Sequence, residues 1–167
     1  YFHATRADAL LHDVVADLLA PRQGRGDLDV PIDAVESFIA HRVRDGQGAT
    51  WSEPTTRRVA QGVLATLRDF GVLTGVVKKR LAPFYVPIEA FAYVAFLLYR
   101  ESRAAHQVAQ SPEWRLYLLH PDVVERMLFE AHQERLLSYQ AAGRVVRLDF
   151  PAQTLPEYAR ALAHRAY

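Results

Sequence analysis

One stretch constrains the fold more than any other: Trp51-Ser-Glu-Pro-Thr-Thr-Arg-Arg-Val-Ala-Gln-Gly-Val-Leu-Ala-Thr-Leu-Arg-Asp-Phe-Gly71, followed at once by Val-Leu-Thr-Gly-Val-Val-Lys-Lys-Arg-Leu-Ala-Pro83. Ser52 or Thr50 offers a hydroxyl to an unpaired amide of a first helical turn, and Pro54 presets φ near the helix start. Phe70-Gly71 marks the end, because glycine tolerates the left-handed conformation that closes a helix. Val59, Val63, Leu67 and Phe70, flanked by Ala60 and Leu64, recur at helical spacing and predict a buried side. The opposite side carries Arg57, Arg58, Gln61 and Arg68. The residues after Gly71 read as a short β-hairpin with Lys78, Lys79 and Arg80 at its tip. A capped helix running into a basic hairpin is the outline of a winged helix, and it makes nucleic acid the leading partner.

The net charge of +1 suggests no such partner until it is divided along the chain. Residues 1–53 carry five Arg against nine acids, residues 54–115 nine Arg or Lys against four acids, and residues 116–167 six against six. Positive charge is therefore concentrated where the helix and hairpin lie. Phosphate binding depends on the local field, so a nearly neutral total leaves a nucleic-acid face open.

Half of the 167 residues are apolar or aromatic, enough to bury a proper core. Absence of cysteine removes disulfide frameworks and thiolate metal sites and suits a reducing cytoplasm. The longest apolar run, residues 90–99, lies between Glu89 and Arg100 and is about half of what a bilayer-crossing helix requires. No membrane span is expected. No signal-peptide pattern is present, and the first residue, Tyr1, leaves room for residues ahead of it.

Periodicity predicts an amphipathic helix over 5–20 ended by Pro21, a flexible connection at 22–27, and a helix over 31–44 with Ile32, Val35, Phe38, Ile39 and Val43 inward. Asp45-Gly-Gln-Gly48 breaks that helix. After the hairpin, Pro87 begins a helix apolar on nearly every side, with Ile88, Phe91, Tyr93, Val94, Phe96, Leu97 and Leu98, which belongs at the centre of a fold. A short segment, 114–119, leads to Pro121 and a helix striped by Val123, Val124, Met127, Leu128, Ala131 and Leu136. Residues 137–150 then alternate around Ala142-Gly143 as a second hairpin, and a helix over 154–166 closes the chain, with Pro156 in its first turn. The expected fold is mostly α: one compact helical domain over 1–167 with winged-helix-like units and two small hairpins. Its possible subunits are 1–105, holding the first such unit, and 106–167, a helix-hairpin-helix.

Catalytic patterns are missing. The histidines at 3, 12, 41, 106, 120, 132 and 164 show no paired ligand spacing, and His132 with Glu134 reads as a solvated helix face. Gly24 and Gly26 lack a preceding strand and a third glycine, while Gly46 and Gly48 lack a following lysine, so neither pair cradles phosphate. No serine lies in a nucleophile elbow, and carboxylates such as Glu125 and Glu130 are ordinary on exposed helices. The expectation is a protein that is not an enzyme and takes no metal or cofactor.

A helix of about 11–16 residues fits the major groove, where Arg can pair with guanine and Gln with adenine. Arg57, Arg58 and Gln61 are the candidates for that face, with Arg68 further along. Lys78, Lys79 and Arg80 would neutralise phosphates or reach the adjacent minor groove. The competing reading pairs the Arg-lined helix with the acidic N-terminal helix bearing Asp8, Asp13 and Asp17, and leaves a protein-interaction scaffold. Tyr85, Tyr93, Tyr99 and Tyr117 could stack on bases, although tyrosines on such apolar helices are more often core.

The pattern of Phe38, then Trp51 to Arg58, Leu67-Arg-Asp-Phe-Gly-Val-Leu73, the run from Leu116 to Leu137, and Tyr139 with Gly143-Arg-Val-Val-Arg-Leu-Asp-Phe150 resembles the BrxA family of BREX phage-defence systems. The resemblance covers most of residues 30–167 and departs most ahead of them. It implies a helical core with winged-helix features, binding to double-stranded DNA, and action beside the methyltransferase and ATPase components of such a system. Two readings stay open: a non-enzymatic DNA-binding accessory of phage defence, and a scaffold on the same fold that binds no DNA.

Overall fold

The computed structural model describes residues 1–44, 51–143 and 145–164. Its chain forms two compact units, Tyr1–Phe84 with Arg115–Leu118, and Tyr85–Trp114 with Leu119–Tyr167. Both are mostly helical, and each contains one two-stranded antiparallel sheet.

The first unit begins with α1 (Phe2–Ala7) and α2 (Ala9–Asp13), followed by a π-helical segment, Val14–Leu19, and α3 (Ala20–Gly24). The single helix expected over 5–20 is thus divided at Asp8. Its extended backbone and a carboxylate that accepts from the Leu11 amide (3.0 Å) make it a helix cap. Nor does Pro21 end the helix; it lies in the first turn of α3, directly after the π-helical segment. Where a ladder changes from five-residue to four-residue spacing, a residue that donates nothing is tolerated. Residues 22–27, expected to be a flexible connection, are helical to Gly24 and then form a turn. Arg22 pairs there with Asp27 and donates to the Asp29 carbonyl oxygen (3.0 Å).

Residues 28–30 next run antiparallel to the hairpin: the Leu81 amide donates to the Leu28 carbonyl (2.8 Å) and the Val30 amide to that of Lys79 (2.9 Å), bridging Asp29 to Arg80. Helices α4 (Ile32–Arg44) and α5 (Glu53–Asp69) pack on each other, and α4 also packs on the π-helical segment. Strand β1 (Leu73–Thr74) pairs with β2 (Arg80–Leu81) in the register Leu73↔Leu81 and Thr74↔Arg80. Val14, Val15, Leu19, Val35, Ile39, Ala60, Leu64, Leu67 and Val72 form the core. Phe70, expected on the buried side of α5, is exposed instead, because it occupies the helix cap where the chain turns away. One edge of it packs on Tyr1, centroids 5.3 Å apart.

Ser52 does precede α5, but its hydroxyl meets that of Thr55 (3.0 Å) and caps no amide. The C-terminus of α5 is closed by Gly71, at φ 77°, whose amide bonds to the Arg68 carbonyl while that of Val72 reaches Leu67, both at 2.9 Å.

In the second unit, α6 (Ile88–Ser102) buries Phe91, Ala92, Val94, Ala95, Phe96 and Leu98 against α7 (Ala105–Ala109), α8 (Pro121–Gln133) and α9 (Leu155–Ala163). Phe91 stacks on Trp114 (4.5 Å), whose indole N–H donates to the Val108 carbonyl (2.7 Å). The Tyr158 hydroxyl donates to the Leu136 carbonyl (2.7 Å). β3 (Ser138–Ala142) and β4 (Val145–Asp149) pair from Ser138↔Asp149 to Ala142↔Val145. Like α5, α8 ends in a left-handed residue before its hairpin, here Arg135 at φ 56°, with the Leu136 amide bonded to Ala131 (2.9 Å). The expected helix break at 45–48, the alternative cap Thr50, Arg144 and the end of the helix expected to reach Ala166 lie outside the described residues.

Candidate functional site

Helix α5 runs 17 residues, slightly longer than expected, and its two sides differ as its periodicity predicts. Ala60, Val63, Leu64 and Leu67 are buried, whereas Arg57, Arg58, Gln61 and Arg68 are exposed. Across from the first half of the helix stands the loop between β1 and β2. Gly75 opens that loop at φ 89°, and a Cβ there would lie 2.0 Å from the Lys78 carbonyl oxygen, so only glycine permits this tip. Lys79 turns its ammonium back onto the loop, donating to the carbonyl oxygens of Gly75 (2.8 Å) and Val76 (2.6 Å). The apex is consequently Val76 and Val77, 81% and 92% exposed, followed by Lys78.

Between helix and hairpin lies a cleft of about 1050 Å³, floored by residues 29–32 and flanked by Arg57 and Gln61 on one side and residues 76–80 on the other. Five of the seven residues singled out in the sequence, Arg57, Gln61, Lys78, Lys79 and Arg80, line it. Arg58 is exposed on α5 but outside the cleft, and Arg68 lies about two turns beyond Gln61, held by Asp69 (2.8 Å).

The cleft's cations differ in what they touch. Arg57 pairs with Glu36 of α4 (3.2 Å), and Arg80 with Asp29 (2.9 Å). Among the described residues, Lys78 finds no side-chain hydrogen bond or ion pair, and neither does Arg58. Three basic residues in a row are thus not one uniform basic tip: Lys79 braces the loop, Arg80 sits paired in β2, and Lys78 extends with an unengaged charge. Among the described residues the pairing considered between α5 and the acidic N-terminal helix is not seen: Asp13 binds Arg42 of α4, Asp8 caps α2, and Arg57 and Arg68 pair with Glu36 and Asp69. Of the tyrosines considered for base stacking, Tyr117 is buried, Tyr93 and Tyr99 are half-buried, and Tyr85 is exposed.

Sequence reasoning missed both carboxylate partners, Glu36 and Asp29. Their pairing is tertiary, and nothing in local spacing marks it. It also passed over Val76 and Val77, which resemble strand residues until the hairpin's short register places them in the loop. Among the described residues no group of three or more His, Asp or Glu is placed to hold a metal ion, and no helix is long and apolar enough to cross a membrane.

The model of one protein family, BrxA, matches residues 1–97. The match takes in the amino-terminal helices, where the resemblance read from the sequence departs most, and it ends within α6. No curated protein and no solved structure matches the chain.

Proposed function

This chain belongs to the BrxA family and so to the proteins associated with BREX phage defence, and on that premise we propose that it is a non-enzymatic accessory that binds double-stranded DNA through a winged helix. The single observation that carries the reading is the convergence of Arg57 and Gln61 with the cationic hairpin on one open cleft. Element order supports it as well: α3, a short extended segment at 28–30, α4, α5, and then β1 and β2 joined by a projecting loop, with β2 between β1 and the extended segment.

In this reading α5 enters the major groove. There Arg57 can donate two hydrogen bonds to guanine, and the Gln61 amide can pair with adenine. The Glu36 carboxylate lies 3.2 Å from the Arg57 guanidinium, an ion pair without a hydrogen bond that biases the side chain toward the cleft before DNA arrives. Lys78 neutralises phosphate beside the groove. The protein acts in the cytoplasm beside the other components of the defence system.

The alternative is a scaffold that binds protein and no DNA, and one observation favours it: Glu36 and Asp29 already neutralise two of the cleft's cations. Fluorescence anisotropy with a labelled duplex across a salt series separates the two. A DNA-binding protein gives an affinity that falls linearly in log Kd against log salt, and a scaffold gives no salt-sensitive binding.

A further inference from the structure

We propose that Val76 and Val77 form an apolar wedge that enters the minor groove of bound DNA and opens a base step. The inference rests on the DNA-binding reading and goes beyond it. Single exposed apolar residues are ordinary on protein surfaces, but here two adjacent valines occupy the apex of a projecting loop at 81% and 92% exposure. Two features set the shape of that apex. Gly75 sets a turn no other residue could hold without moving the Lys78 carbonyl, and the Lys79 ammonium ties two of the loop's carbonyl oxygens together. Both valines are β-branched and have few rotamers to lose on insertion.

Charge complementarity names the occupant. Lys78 follows the wedge directly with a charge unengaged among the described residues, and Arg80 and Arg57 line the same cleft paired with Asp29 and Glu36, so a surface that receives the valines meets one free cation backed by two that are already paired. Duplex DNA supplies phosphates on both sides of a groove with apolar sugar faces and base planes inside, and apolar wedges of this kind partly unstack the step they enter. An anionic lipid surface would also accept valines beside lysines, but it would leave the Arg57 and Gln61 side chains of the same cleft without a role.

The experiment uses the full chain, a short duplex carrying 2-aminopurine, and vesicles containing anionic phospholipid. With the wild-type protein, binding should raise 2-aminopurine fluorescence as the step opens. The V76S/V77S protein should bind roughly tenfold more weakly, from lost apolar burial. Its salt slope should be unchanged, since no charge is removed, and the fluorescence rise should disappear. V76I/V77I should retain both affinity and signal, which separates loss of the wedge from damage to the hairpin. Wild-type-like binding and fluorescence in V76S/V77S would overturn the wedge while leaving DNA binding intact, as would a loss confined to vesicle binding. If the wild-type protein binds no duplex at any salt concentration, the DNA-binding reading itself fails, and the wedge with it.

Discussion

The ammonium of Lys79 lies 2.8 Å from the carbonyl oxygen of Gly75, so a residue that reads in the sequence as a phosphate contact is occupied in bracing its own loop. Its neighbour Lys78 has no such engagement among the described residues. The two should therefore separate experimentally. Lys78→Ala should reduce the slope of log affinity against log salt by about 0.9, the effect of one lost phosphate contact, and leave stability unchanged. Lys79→Ala should alter the slope less and cost about 1 kcal/mol in urea denaturation, as expected for hydrogen bonds at a partly exposed site. Equal slope changes for the two variants would show that Lys79 releases the loop and turns to DNA.

Gly75→Ala tests whether the tip must keep its shape. A methyl group 2.0 Å from the Lys78 carbonyl oxygen forces the loop to rearrange, and φ of 89° is strained for any L side chain. Duplex affinity should fall at least as far as in V76S/V77S, while the far-ultraviolet dichroism of the helices stays as in the wild type. Unchanged affinity would mean that the loop conformation is irrelevant to binding.

Two helix ends with the same geometry and different residues give predictions of opposite sign. Gly71 closes α5 at φ 77°, and a Cβ added there would meet nothing within 4 Å, so Gly71→Ala adds only backbone strain, about 1 kcal/mol. Arg135 closes α8 at φ 56° and already bears that strain. Arg135→Gly should stabilise the protein by roughly 0.5 kcal/mol, the strain relieved less the extra freedom glycine gives the unfolded chain. Both are read from denaturant midpoints, and a destabilised Arg135→Gly would show that the arginine side chain matters more than its backbone.

These helix ends also mark what the sequence could reveal. Pro54, Gly71, Pro87 and Pro121 punctuate the chain, and α5, α6, α8 and both hairpins lie close to where the punctuation and apolar periodicity put them. Asp8 was hidden because its capping carboxylate falls inside an apolar repeat that continues on either side of it. Pro21 misled because a π-helical segment, which no composition signal announces, removes the usual reason for a helix to stop there. Face and charge in the sequence pick out Arg57, Gln61, Lys78, Lys79 and Arg80, which line the cleft, but equally Arg58 and Arg68, which lie outside it. The pairing of residues 28–30 with β2 and the partners Glu36 and Asp29 depend on how distant segments meet.

Phe91→Ala should cost roughly 3–5 kcal/mol, the range for truncating a large buried aromatic. Phe91 is fully buried on α6 and stacks on Trp114, so the same change should shift tryptophan emission. A cost under about 1 kcal/mol would remove Phe91 from the core of its unit.

The last prediction concerns what α5 reads. If Arg57 contacts a base, Arg57→Ala should cost about 1–3 kcal/mol on a preferred site and nearly nothing on unrelated duplexes beyond the loss of one charge. Gln61→Ala should behave likewise, with no change in salt slope, because it carries no charge. Glu36 refines the test, since its carboxylate lies 3.2 Å from the Arg57 guanidinium without itself lining the cleft. Glu36→Gln leaves Arg57 charged but less firmly held. Affinity for unrelated duplexes should then stay the same or rise slightly as a negative charge is lost, while the margin between preferred and unrelated sites narrows. Site-selection on random duplexes with the wild-type protein, Arg57→Ala and Glu36→Gln measures that margin directly. A wild-type protein that selects no sequence would limit α5 to backbone contact, and selectivity that survives in Arg57→Ala would place the base reading on other residues of the cleft.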